Sequence, residues 1–164
     1  MKTVNLFRHG KSDWDVNFES DHARPVAPRG VKAARQMGRW LTATDQAPDF
    51  LVSSSALRAR TTMDLAREAG EWPQKPVIAN ELYEASVADY VEVMRQTPQR
   101  AGSVLLAGHE PTCSLTTEYL TGGGRVRFPT GAMARIDFGT DTWQDIGQGE
   151  GTLIWFLPPR FLPD

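Results

Sequence analysis

The sequence predicts a single α/β domain of three layers: a mostly parallel sheet, helices on both faces, and antiparallel strands late in the chain. Three observations carry this expectation. Short β-prone runs alternate with segments of helical apolar spacing through most of the chain. Val104 to Ala107 (VLLA) is continuously apolar, as in a strand buried on both faces. The last two strand-like runs follow one another with only a turn-rich segment between them. At 164 residues the chain fits one domain, residues 1–164, with enough length to bury a core.

Taken in order, Thr3 to Phe7 (TVNLF) reads as the first strand, stopping at Arg8-His9-Gly10. A polar loop from Lys11 to about Ala27 follows, long enough to suggest function. Pro28 marks a helix start, and Val31, Ala34, Met37 and Leu41 line its apolar face. Phe50 to Ser53 is a second strand and Ala56 to Ala69 a second helix, stopped by Gly70. Val77 to Ala79 is a weaker third strand. Ser86, with Asp89 three residues on, marks an N-cap ahead of Tyr90, Val91 and Met94. After the VLLA strand, Pro111 to Leu120 reads as a helix closed by Gly122-Gly123-Gly124. Ala132 to Phe138 and Thr152 to Leu157 complete the set as strands, joined through Gly139 to Gly149.

Composition narrows the function. Lys plus Arg number 18 and Asp plus Glu 20, a net charge of −2, which argues against a nucleic-acid-binding face. A small anionic substrate stays open, because a few arginines in one pocket need not show in the balance. Hydrophobic residues make up 40% and charged residues 23%, ordinary for a globular protein and unlike a disordered one. Cys113 is the single cysteine, so no internal disulfide forms and no metal-finger spacing exists. With no apolar leader and no run near the ~18 apolar residues of a membrane span, the expectation is a cytoplasmic protein without a membrane partner.

Open α/β sheets bind ligands beyond the carboxyl ends of their strands. His9 follows one such end and His109 another, and Arg58 stands at the start of the second helix after Ser53-Ser54-Ser55. Two imidazoles with Arg8 and Arg58 suit phosphoryl transfer, which needs a nucleophile and cationic donors for the non-bridging oxygens. Arginine serves because its planar fork stays charged and binds two oxygens at once. Two rival motifs fail. Gly10-Lys11-Ser12 mimics the end of a P-loop, but Asn5 stands where that pattern needs glycine. A metal hydrolase is poorly served by three histidines and no H-E-x-x-H.

Three blocks in register then resemble a known family. Arg8-His9-Gly10, Ser54-Ser55-Ala56-Leu57-Arg58-Ala59-Arg60-Thr61-Thr62 and Gly108-His109-Glu110-Pro111 resemble the signature of the histidine phosphatase superfamily. Asp21 to Gly30 (DHARPVAPRG), Leu82 to Ser86 and Phe128 to Ala132 resemble its short SixA-type branch, the phosphohistidine phosphatases, over essentially the whole chain. That resemblance implies a phosphoglycerate mutase-like fold and a hydrolase without metal or cofactor. It implies His9 as the residue phosphorylated in turnover, with Arg8, Arg58 and His109 holding the phosphoryl group. Arg24 becomes a further candidate phosphate ligand. Glu84 stands where larger members carry the acid that protonates the leaving oxygen, although some SixA-type proteins lack it. Arg8, adjacent to His9, is expected to disfavour protonation of the nucleophile. Lys11 and His22 are expected at the pocket rim. The substrate is then a phosphorylated protein, foremost phosphohistidine in a signalling protein. Small phosphorylated metabolites, a mutase reaction and a non-catalytic phosphate- or phosphopeptide-binding module remain as alternatives. Oligomeric state is not legible.

Overall fold

A computed structural model describes all residues, Met1–Asp164. Six strands, β1 (Lys2–Arg8), β2 (Phe50–Ser54), β3 (Val77–Ala79), β4 (Ser103–Gly108), β5 (Met133–Phe138) and β6 (Gly151–Leu157), form one sheet in the order β3-β2-β4-β1-β5-β6. The pairs β3–β2, β2–β4 and β4–β1 are parallel, whereas β1–β5 and β5–β6 are antiparallel. This is the predicted α/β architecture, late antiparallel strands included.

Alternating strand residues supply the two cores. Phe7, Leu51, Leu105, Ala107 and Met133 face one side, against Met37 and Leu41 of α1 (Pro28–Ala43) and Met63 and Ala66 of α2 (Leu57–Gly70). Val4, Leu6, Val52, Val104, Leu106 and Ile136 face the other. There they join Tyr90, Val91 and Met94 of α3 (Val87–Arg95) and Cys113 and Leu120 of α4 (Thr112–Thr121). Strands β1 and β4 are buried on both faces, which explains the continuous apolar run of β4, while β1 buries the polar Thr3 and Asn5 between its apolar residues.

The helix signals hold with one correction. Pro28 opens α1, and Ser86 caps α3 in a reciprocal capping box with Asp89, a device whose loss costs about 0.5–2 kcal/mol. Gly70, expected to stop α2, is its last helical residue instead; Glu71 takes the left-handed conformation at φ 59°. The glycine is there for space. A Cβ on it would lie 2.5 Å from Trp72 Nε1. No helix is long and apolar enough to cross a membrane.

Candidate active site

Because β1, β2 and β4 run parallel, their carboxyl ends share one rim. Arg8 pairs with Gly108 in the β1–β4 register, and the N–H of His9 donates to the Gly108 carbonyl at 3.0 Å. The two histidines that follow these strands therefore meet, their ring centroids 5.3 Å apart. Two glycines permit the approach. At Gly10 a Cβ would lie 2.8 Å from the Gly30 carbonyl oxygen, so the chain after His9 packs backbone to backbone on the start of α1. At Gly108 it would lie 2.1 Å from the hydroxyl of Tyr90, which accepts the His109 N–H at 2.9 Å.

His9 is 7% exposed. Its Nδ1 lies 2.8 Å from the Gly10 carbonyl oxygen, which can only accept. The network thus assigns the ring proton to Nδ1 and leaves the lone pair on Nε2. Its pKa falls to about 3, chiefly because burial disfavours the imidazolium, with the charges of His109, Arg58 and Arg8 adding to the effect. Arg8 was the cause expected from sequence; it contributes least of these, and desolvation leads.

His109 is held by β2. Ser54 Oγ accepts from the Ala56 N–H at 3.3 Å and lies 2.8 Å from His109 Nε2. If the Ser54 hydroxyl donates to Nε2, the ring proton falls on Nδ1, a buried nitrogen with no protein partner. Burial, then the charge of Arg58, lowers the pKa of His109 to about 4.

The arginines surround this pair. Arg8 donates from Nη1 to the Phe128 carbonyl at 2.8 Å, and burial lowers its pKa. Arg58, 6% exposed at the start of α2, donates from Nη1 to the Asp21 carbonyl at 2.8 Å and from Nη2 to Asp21 Oδ2 at 3.1 Å. Arg24 is buried under the face of Trp14, 3.9 Å from the ring centroid, and donates from Nη2 to Asp21 Oδ1 at 2.9 Å. The Nε of each of these arginines is buried without a protein acceptor. Unpaired donors at a charged, buried cluster suit an oxyanion ligand.

Of the residues singled out in sequence, Arg8, His9, Arg58, His109 and Arg24 are brought together. Glu84 is not joined to them by a hydrogen bond or ion pair. It is exposed, at φ 53°, beside Tyr83 in the connection before α3. Lys11 lines a cleft with Arg29, Lys32 and Gln36 of α1, while His22 is tied to Ser55 Oγ at 3.0 Å and lies edge-on to Tyr83. Sequence reasoning gave no role to Ser54, Tyr83 or Asp21, although all three stood within the quoted blocks. The spacing of Asp21 and Arg24 on one turn was the available signal.

Residues 4–104 match the model of the histidine phosphatase superfamily (branch 1), and the chain belongs to that family. Among its relatives, phosphohistidine phosphatase SixA of Escherichia coli K12 is 26% identical, with 95% of this chain and 93% of that protein aligned. The structure of a protein described as SixA from Nakamurella multipartitia superposes with a TM-score of 0.84 at 27% identity, covering 96% of each chain. A protein histidine phosphatase SixA complexed with tungstate superposes at 0.83 with 25% identity, covering 96% of this chain and 97% of its own. The phosphoglycerate mutase-like fold is thereby shown, together with the kinship to SixA proteins.

Proposed function

We propose that this protein is a phosphohistidine phosphatase that works through a covalent phosphohistidine on His9. The carrying observation is the state of His9: buried, neutral, its Nδ1 proton fixed on the Gly10 carbonyl and its Nε2 left free. In the first step the Nε2 lone pair attacks phosphorus. The bond from phosphorus to the substrate's ring nitrogen breaks and its electron pair stays on that nitrogen. A proton already carried on the other ring nitrogen lets the group leave as neutral imidazole. His9 becomes a phosphoimidazolium whose Nδ1–H still donates to Gly10, so the carbonyl takes up part of the new positive charge. In the second step water attacks phosphorus, the Nε2–P bond breaks, and orthophosphate and neutral His9 are released.

Arg8, Arg58 and His109 Nδ1–H supply donors to the three non-bridging oxygens in both displacements, with Arg24 alongside. Several facts support this assignment: the unpaired guanidinium nitrogens, the tungstate held by a SixA neighbour, and tungstate's likeness to phosphate as a tetrahedral oxyanion. Charge neutralisation by fixed arginines gives the step its electrostatics without calling on a metal or cofactor. The single, buried Cys113 suits a reducing, cytoplasmic setting for a signalling phosphatase.

A phosphohistidine protonated on its other ring nitrogen leaves as neutral imidazole, far less basic than an alkoxide, and needs no further proton from an acid of the enzyme. The exposed, unpaired position of Glu84 favours that substrate over alkyl phosphates. The test is turnover of a phosphohistidine-bearing protein against a panel of small phosphate esters, with one enzyme preparation. Preference for the phosphohistidine protein supports the proposal. Equal or better turnover of small esters would assign the enzyme to metabolite phosphatases, and phosphate binding with no turnover would make it a binding module.

A further inference from the structure

Asp21 occupies an unusual place for an exposed acid. It begins a single 3-10 turn, Asp21–Ala23, in the long loop after His9, and every acceptor it has is engaged. Its carbonyl accepts from Arg58 Nη1 at 2.8 Å, Oδ1 from Arg24 Nη2 at 2.9 Å, and Oδ2 from Arg58 Nη2 at 3.1 Å and the Tyr83 hydroxyl at 2.7 Å. The side chains of Arg24 and Arg58 are 9% and 7% exposed, whereas that of Asp21 is 52% exposed. The carboxylate thus caps two buried guanidiniums from the solvent side. A surface ion pair adds little and joins two flexible arms. This acid instead ties together a loop, the start of α2 and Tyr83 in the connection after β3.

We infer that Asp21 is a positioning residue of the phosphoryl site, an internal carboxylate that fixes Arg24 and Arg58 as a preformed pair while weakening the site's hold on free phosphate. The inference rests on the phosphoryl-transfer reading given above. Two adjacent guanidiniums repel each other, and without a shared anion each would swing toward water. Bound to Asp21, each still has unused N–H groups among its five, so the clamp orients the forks without consuming them. Donors held in place before the reaction act most on the transition state, where geometry is most demanding. The same carboxylate adds a negative charge beside the oxyanion, which opposes a bound dianion and favours release of the product. Its hydrogen bonds from Tyr83 and Arg24 hold its pKa well below the carboxylate range, so it stays ionised and cannot donate a proton to the leaving group.

The experiment compares wild type with Asp21→Asn, which keeps the shape and removes the charge. It measures kcat on a phosphohistidine substrate together with the inhibition constant of orthophosphate. Expected is a fall in kcat of about ten-fold or more, with orthophosphate binding unchanged or tighter. Tyr83→Phe, which removes one bond to the carboxylate, should shift kcat the same way by less. A kcat within about two-fold of wild type would overturn the inference. So would a parallel loss of kcat and phosphate affinity, because general damage to the site weakens both. A readout independent of turnover is the NMR of the Arg24 and Arg58 Nε–H groups, expected to be slow to exchange in wild type and fast in Asp21→Asn. Unchanged exchange would overturn the clamp even if the enzyme hydrolysed no phosphohistidine, an outcome that would separately defeat the proposed activity.

Discussion

The His9 N–H donates to the Gly108 carbonyl at 3.0 Å, one residue before His109, so the parallel pairing of β1 and β4 sets the two imidazoles side by side. Their placement depends on strand register, and each ring is then turned by a local partner, the Gly10 carbonyl for His9 and Ser54 Oγ for His109. Ser54→Ala should therefore free the His109 ring while leaving its position in the chain unchanged. We expect a loss of activity smaller than that of His109→Ala, measured as kcat/KM on the same substrate. Equal losses would mean that Ser54 does more than orient the ring.

Arg58 and Arg60 lie two residues apart on α2, yet only Arg58 reaches Asp21; Arg60 Nε donates to the Ser55 carbonyl at 2.9 Å. Arg58→Ala should lower kcat/KM by about two orders of magnitude or more, as expected for the loss of one transition-state donor. Arg60→Ala should cost much less. Steady-state kinetics on both variants checks this, and equal losses would assign the phosphate-binding role to the wrong arginine.

For Glu84 the account predicts a small effect on phosphohistidine, because a leaving imidazole already protonated on its far nitrogen needs no acid from the enzyme. If the side chain serves alkyl phosphates, Glu84→Gln should depress their hydrolysis by up to the 10²–10⁴-fold typical of general acid catalysis. Parallel assays on one ester and one phosphohistidine substrate separate these cases. A large loss on phosphohistidine would contradict the mechanism.

Burial of neutral His9 also makes a stability prediction. Its pKa is about 3 in the folded protein against an ordinary 6.5, so between these values the unfolded chain binds a proton that the native state refuses. Stability from this group is fully present above pH 6.5, falls as pH drops through the window, and levels off near the folded value. The slope is at most about 1.4 kcal/mol per pH unit for one group. Urea melts across this range should show a shallower fall for His9→Asn than for wild type. An identical slope would mean that the imidazole is not held neutral by the fold.

The architecture was largely legible because each element carried its own local signal: Pro28 at a helix start, Ser86 with Asp89 at another, and VLLA as a strand buried on both faces. His9, His109 and Arg58 were legible because parallel strands deliver their carboxyl ends to one rim. Gly70 was misread because a C-terminal glycine commonly supplies a left-handed turn, whereas here the space is taken by Trp72 and Glu71 makes the turn. Asp21 showed only its spacing to Arg24 on one turn, and not its place as the shared partner of Arg58 and Tyr83. Its partner Arg58 lies 37 residues away, and only the folded loop brings the carboxylate onto that guanidinium. The ring tautomers were equally hidden, since they depend on a carbonyl and a hydroxyl whose directions exist only in the fold.

The most direct test of the central claim is to trap the enzyme during turnover of a substrate labelled in its phosphoryl group, quench it by denaturation at alkaline pH, and map the label. The account predicts phosphate that is stable to alkali, labile to acid and carried on the His9 peptide, with neither label nor turnover in a folded His9→Ala protein. Label on any other residue, or turnover that survives in His9→Ala, would contradict it.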